Sequence, residues 1–284
     1  MKYINKKLAI ENVKIQNIAY KFGTPVYCYS FSQLKQNIIN FKRSFKSFSP
    51  IICFSIKSNS NVNLLKEIGK LGLGADVVSK GELMLAIKAG IKPKKIVFSG
   101  VGKTSSEISY AIDRKILLIN AESISEIKEI DRIARSKNRK VEIGIRLNPN
   151  TDANTLSQIS TGKKDDKFGV NKRSFIKIIE YCKNSKNLKL ECLSVHIGSQ
   201  ILDYRPYEKM LRVIDNIIKK INFKFKYIDL GGGMGIPYNK NSKKLNYTKY
   251  NSIIKKFLKK NKSKIIFEPG RSIIGNAGIL ISKI

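Results

Sequence analysis

Eight short apolar runs alternate with longer amphipathic stretches over most of this 284-residue chain, and that rhythm limits its fold more than any other feature. The runs are "IICFS" (51–55), "ADVVS" (75–79), "KIVFSG" (95–100), "ILLIN" (116–120), "VEIGIRLN" (141–148), "LECLSVHIG" (190–198), "FKYIDLGGG" (225–233) and "KIIFEPG" (264–270). Between them lie stretches such as "ISEIKEIDRIARSK" and "YEKMLRVIDNIIKKI", with apolar residues at helical spacing. Strands alternating with helices pair in parallel through right-handed crossovers. Eight strands and seven intervening helices over about 220 residues suit a closed barrel, which takes about 250, better than an open sheet. The expected fold is therefore α/β, a (β/α)8 TIM barrel over 29–271. The β-prone segments "ENVKIQNIAY", "TPVYCYS" and "SIIGNAGILISKI" fall outside the rhythm. They predict remnants of a second, β-rich domain at both termini: its N-terminal strands over 1–28, and over 272–284 the start of a C-terminal part whose remainder is absent.

Composition removes several classes of function. No stretch approaches 18 consecutive apolar residues, and "MKYINKKLAIENVKIQ" lacks the apolar core of a signal peptide, so no membrane partner is expected. Cys28, Cys53, Cys182 and Cys192 show no CxxC pairing and lie mostly in apolar segments, as buried thiols of a cytoplasmic protein would. A single histidine excludes a multi-histidine metal site, and no metal is expected. The formal net charge of +34 would suit a nucleic-acid binder. Yet the lysines are scattered beside asparagine and isoleucine, as in "NKNSKKLNY", with no basic tail, aromatic RNA-binding motif or zinc-finger spacing. We read this charge as the codon bias of an AT-rich genome and expect no nucleic-acid partner.

In such a barrel the chemistry lies where strands end, at the C-terminal face. There the sequence puts Lys57 after strand one, Asp76 and Ser79 after strand two, and Arg146 and Asn148 after strand five. His196 and Ser199 follow strand six, Asp229 with Gly231, Gly232 and Gly233 strand seven, and Glu268, Pro269, Gly270 and Arg271 strand eight. The run "LGGGMGIPY" offers backbone N–H groups that a phosphate can approach closely, and Arg271 can add a bidentate contact. The same glycines equally suit a tight strand-to-helix turn. They are not a dinucleotide fingerprint, since Ile236 stands where a small residue is required. Nor is Gly102-Lys103-Thr104 a P-loop, because Val97 occupies the position of its first glycine. That segment reads as a loop in which Thr104 or Ser105 caps the next helix.

A lysine at a buried strand end is expected to be partly desolvated, which makes Lys57 an amine nucleophile. An amine beside a phosphate cradle points to a phosphorylated aldehyde. Pyridoxal 5′-phosphate fits if an acid keeps its ring nitrogen protonated and a flat group covers its ring. Glu268, one strand from Lys57 around a closed barrel, suits the first role. His196 suits the second, although a lone histidine there equally suits a hydrogen-bonded core position.

These residues lie in motifs that together resemble the diaminopimelate decarboxylase branch of the fold-type III, alanine-racemase-like pyridoxal-phosphate decarboxylases. "FSIKSNSN", "GLGADVVSKGEL", "IVFSGVGKT", "ISTGKKDDKFGV", "VHIGSQI", "DLGGGMGIPY" and "EPGRSIIGNAG" follow in family order, from about residue 20 to the end. The resemblance implies decarboxylation of meso-2,6-diaminopimelate to L-lysine and CO2, the last step of lysine biosynthesis. It implies Lys57 as the catalytic residue that carries the cofactor, His196 stacked on the ring, Ser199 near the phosphate and Asp76 in the network around lysine and ring. Gly231, Gly232 and Gly233, with Glu268, Pro269, Gly270 and Arg271, would hold the phosphate and ring nitrogen, and Arg271 would also touch substrate. "DDKFG" (165–169) resembles a mobile loop over the site.

The resemblance further implies a homodimer with shared active sites in the full-length form. Family members continue past "NAGILISKI" into a β-domain that carries a cysteine–glutamate segment and a tyrosine near the cofactor. Neither is assignable here, and Cys182 and Cys192, before and within strand six, are not substitutes. The sequence is accordingly read as a fragment, expected to bind the cofactor and to decarboxylate poorly. The alternatives are another decarboxylase of this fold, acting on ornithine, arginine or carboxynorspermidine, and a cofactor-binding barrel without turnover.

Overall fold

The eight apolar runs form eight parallel strands: β1 (Ile51–Ser55), β2 (Gly74–Val77), β3 (Ile96–Phe98), β4 (Leu118–Ala121), β5 (Val141–Arg146), β6 (Leu188–Ser194), β7 (Tyr227–Asp229) and β8 (Lys264–Phe267). They close into one barrel in sequence order, with Ile266 and Phe267 of β8 opposite Ile51 and Ile52 of β1. This is a computed structural model, and it describes residues 2–153, 155, 157–163, 168–239 and 241–283.

The pleat explains why the runs look uniformly apolar. Cys53, Val97, Leu118, Cys192, Tyr227 and Ile266 gather in one buried cluster inside the barrel. Their immediate neighbours Phe54, Phe98, Ile119, Leu193, Ile228 and Phe267 belong to the larger core beneath the helices. Two residues beyond each inward member the lining turns polar. Ser55, Ser99, Asn120, Ser194, Asp229 and Glu268 are all buried there, at the end where the strands stop.

Among the described residues eight helices ring the barrel: α1 (Phe31–Ser44), α2 (Val62–Lys70), α3 (Lys80–Lys88), α4 (Ser105–Asp113), α5 (Ile124–Ser136), α6 (Lys172–Asn184), α7 (Arg205–Ile221) and α8 (Tyr247–Lys260). Most start on a side chain that accepts an otherwise unpaired backbone N–H, among them Asn61, Ser79, Ser123 and Asn246. Thr104, rather than Ser105, caps α4, in a capping box with Glu107. The seven helices expected between strands are joined by α1, which precedes β1 and buries Leu34, Ile38 and Phe41. Phe45, just beyond α1, lies 4.6 Å from Phe267 of β8, and Phe41 lies 5.6 Å from it, so aromatic rings seal the seam where the barrel closes.

Both ends of the chain add small antiparallel sheets. Lys2–Ile4, Lys7–Ile10 and Val13–Lys14 form one, and Val26–Tyr29 pairs with Gly278–Ile281 to form the other. Two β readings are corrected. In "ENVKIQNIAY" only Val13–Lys14 is strand, and Ile15–Phe22 is helical, because Ile15, Ile18 and Ala19 share one face that packs around Ile10 and Ile281. In "SIIGNAGILISKI" the first residues belong to the short helix Arg271–Ile274, and only Gly278–Ile281 is strand. No helix among the described residues is long and apolar enough to cross a membrane.

Candidate functional site

The polar upper lining opens into a cavity of about 550 Å³, walled by Lys57, Asp76, Arg146, His196, Ser199 and Glu268 among others. An adjoining cavity of about 210 Å³ shares Lys57, Asp76, His196, Ser199 and Glu268 and adds Gly232, Gly233, Gly270 and Arg271. Side chains from position 57 to position 271 therefore converge on one mouth of the barrel. Of the residues expected to bind the cofactor, Gly231 and Pro269 line neither cavity. Gly231 (φ +63°) gives its N–H to Asp229, and the Pro269 carbonyl accepts the N–H of Ser55. Both shape the walls from behind.

Lys57 departs from expectation in one respect. The strand stops at Ser55, and a single turn, Ile56–Ser58, sends Ile56 into the core and leaves Lys57 exposed at the cavity. Its amine thus stands in the pocket and is not desolvated by the strand.

The glycine run also differs in detail. The N–H of Gly231 goes to Asp229, and that of Gly232 goes to His196 Nδ1 at 3.2 Å. Among the described residues the N–H groups of Gly233, Gly270 and Arg271 donate to nothing, and these remain for an anion. A Cβ on Gly232 would sit 2.2 Å from the Glu268 carbonyl oxygen, and one on Gly233 (φ +86°) 2.2 Å from that of Gly198. Gly233→Ala is therefore expected to destabilise the fold by about 2–4 kcal/mol, read by urea unfolding. The Arg271 guanidinium is held by the Tyr238 hydroxyl.

The bond from Gly232 fixes the histidine tautomer: His196 Nδ1 accepts, so Nε2 carries the proton. Burial first, then the positive charges of Arg146 and Lys57, push the His196 pKa well below its ordinary value. The sign is definite. The unfolded chain takes up this proton near pH 6.5 and the folded chain does not, so this group's contribution to stability is lost as the pH falls below about 6.5. Because His196 is the only histidine, its imidazole NMR signals are unambiguous, and they are expected to show a neutral ring from pH 8 down to pH 6.

Beside the glycines, three buried acids meet. Asp76 accepts from Ser55 Oγ at 2.7 Å through Oδ2, while its buried Oδ1 has no partner. Asp229 accepts from Asn120 Nδ2 at 3.1 Å and from Ser194 Oγ at 3.3 Å, and Ser99 Oγ donates to Glu268 at 3.2 Å. Burial pushes Asp229 up to about 6. Burial, then the charges of Asp229 and Asp76, raise Glu268 well above the carboxylate range. Glu268 therefore keeps its proton and donates it to Asp229. Burial raises Asp76 too, against the opposing charge of Lys57.

Strands three and four had offered no rim residue, yet they supply Ser99 and Asn120. Arg146 and Asp229 were read as strand ends but not as parts of the site. Arg146 is a cavity wall residue, held at 3.1 Å by Glu122 and lying 4.7 Å over the Phe168 ring. The N–H of Gly169 donates to the same Glu122. The rest of the loop read as mobile, 165–167, lies outside the described residues. Ser79 and Asn148 are structural, the first capping α3 and the second donating to the Lys163 carbonyl.

A glycine-walled pocket with open N–H groups, an exposed amine and a protonated acid suit a phosphorylated ring that carries an aldehyde, and the orphaned Asp76 oxygen leaves a further bond to be made. Comparison with known proteins agrees. Residues 31–275 match the family model described as "Pyridoxal-dependent decarboxylase, pyridoxal binding domain". The diaminopimelate decarboxylase of Aquifex aeolicus is 42% identical over 288 residues, covering 100% of this chain and 68% of that protein. That of Zymomonas mobilis is 38% identical over 287 residues, covering 99% and 68%. The crystal structure of the Helicobacter pylori diaminopimelate decarboxylase complexed with L-lysine superposes with a TM-score of 0.90 at 39% identity, covering 94% and 68%. The chain spans about two thirds of the length of these relatives. It belongs to the pyridoxal-dependent decarboxylases, within their diaminopimelate decarboxylase family.

Proposed function

We propose that this chain holds pyridoxal 5′-phosphate at the mouth of its barrel and decarboxylates meso-2,6-diaminopimelate to L-lysine, closing lysine biosynthesis. One observation carries the reading: Lys57, the open N–H groups of Gly233, Gly270 and Arg271, and Glu268, whose pKa burial raises, border two adjoining cavities that share Lys57 and Glu268. Bound there, the coenzyme supplies an electron sink for the pair left behind by departing CO2.

The chain's own residues do the rest. Lys57 would hold the coenzyme through its exposed amine. Gly232, Gly233 and Ser199 border the smaller cavity, where the free N–H groups and Arg271 would neutralise a phosphate. His196, fixed as the neutral tautomer by Gly232, presents a flat ring without adding a charge. Glu268 holds a proton at its carboxyl, where a ring nitrogen would meet it, and Asp229 takes up the change in charge. Asp76 faces Lys57 with a free oxygen. Arg146 lends the larger cavity a buried cation suited to an amino-acid carboxylate.

The same reading takes 1–28 and 272–284 as parts of a second domain flanking the barrel of 29–271, a homodimer with shared sites as the working form, and the cytoplasm as its place. Free thiols at Cys28, Cys53, Cys182 and Cys192 suit that compartment. The test is to add the coenzyme, follow its visible absorbance band, then measure CO2 release from diaminopimelate, ornithine and arginine. Binding with preference for diaminopimelate supports the reading. A preference for ornithine or arginine moves the chain to another substrate, and a chain that stays colourless refutes it.

A further inference from the structure

Lys103 lines neither cavity, yet its ammonium is buried, with the side chain only 1% exposed. All three of its donors are engaged: the Gly100 carbonyl at 2.6 Å, the Asn120 carbonyl at 2.8 Å and Glu126 Oε1 at 2.7 Å. Burying such a pair costs more than filling the slot with an apolar side chain. What an apolar side chain would not do is tie the loop after β3 to the end of β4 and to the first turn of α5.

Those two segments carry the donors of the acid cluster. Ser99, next to Gly100, donates to Glu268, and Asn120 donates both to Ser99 Oγ at 3.1 Å and to Asp229 at 3.1 Å. Glu126 continues the brace outward. Its second oxygen accepts the N–H of Glu122, which in turn holds Arg146 and the N–H of Gly169. One buried ammonium thus stands behind both groups of polar contacts around the cavity.

We infer that Lys103 is a positioning residue for the coenzyme site, fixing Ser99 and Asn120 so that they hold Glu268 and Asp229 in register. This rests on the coenzyme reading above.

The test is the coenzyme dissociation constant of wild type, Lys103→Met, Ser99→Ala and the double variant, each checked for native fold by circular dichroism. Ser99→Ala is expected to weaken binding about threefold and Lys103→Met about tenfold, with the double variant no weaker than Lys103→Met alone, because both act through the same contact. Losses that multiply to about thirtyfold overturn the inference, as does a Lys103→Met constant equal to wild type. Asp131→Asn provides the structural comparison: Asp131 is a buried acid bonded to Tyr181, Ser185 and Asn187, away from both cavities. If it weakens the coenzyme as much as Lys103→Met does, the role of Lys103 is stability alone and the inference fails. Should Lys103→Met not fold, Lys103→Met/Glu126→Gln removes both charges and carries the same comparison. A wild-type chain that takes no coenzyme is a separate outcome, which overturns the functional reading and this inference with it.

Discussion

Lys57→Ala is expected to abolish covalent capture of pyridoxal phosphate and to lower any decarboxylation by at least about 10⁴-fold, the order seen when the group that carries the chemistry is removed. The fold should survive. Lys57 is exposed, makes no hydrogen bond or ion pair among the described residues, and lies on a turn whose buried member is Ile56. The variant should therefore unfold within about 0.5 kcal/mol of wild type, as surface changes usually do. Absorbance with added coenzyme and urea unfolding read the two halves of this expectation separately. Retained covalent binding would show that another of the many lysines serves, and a large loss of stability would show that Lys57 is structural.

Glu268→Gln should separate function from stability in the opposite direction. A carboxyl raised on folding adds stability below its ordinary pKa of about 4 and loses it as the pH climbs through its folded value. That value is about 6 for Asp229, and Glu268 is raised as well. The coenzyme-free chain should therefore weaken from about pH 4 upward, where the unfolded carboxyls ionise while Asp229 holds its proton to about pH 6 and Glu268 holds the shared one beyond that. Glutamine cannot ionise, and its amide can still donate to Asp229. We expect Glu268→Gln to stabilise the coenzyme-free chain at pH 8 by about 0.5–2 kcal/mol. Turnover should fall about 10²–10³-fold for want of a group that charges opposite the ring nitrogen. Thermal unfolding at pH 5 and pH 8 checks the sign. A variant less stable than wild type at pH 8 would contradict the shared proton.

The barrel was legible because its strands are covered on both faces, so each left a continuous apolar run, and because capping side chains such as Asn61, Ser79 and Thr104 punctuate the helices. Lys57, His196, Glu268 and the glycines were legible because each follows directly on an apolar run. Ser99 and Asn120 were not, since a serine in "VFSG" and an asparagine in "LLIN" look like ordinary loop residues. The signal that finds them is the period of two: Val97 to Ser99 and Leu118 to Asn120 repeat the step from Ile266 to Glu268. Which glycine N–H stays free could not be read from sequence, because it depends on Asp229 and His196 reaching back to Gly231 and Gly232. The helix Ile15–Phe22 was missed because a short β-branched segment satisfies strand and helix spacing alike until packing on Ile10 and Ile281 decides.

Borohydride reduction of the coenzyme-loaded chain, followed by peptide mass mapping, tests the central claim most directly, since it traps pyridoxal phosphate on the amine that holds it. With 45 lysines in the chain, nonspecific capture would scatter the label. The account predicts one labelled peptide, carrying the modification at Lys57. Label on another lysine, or spread over many, would contradict it.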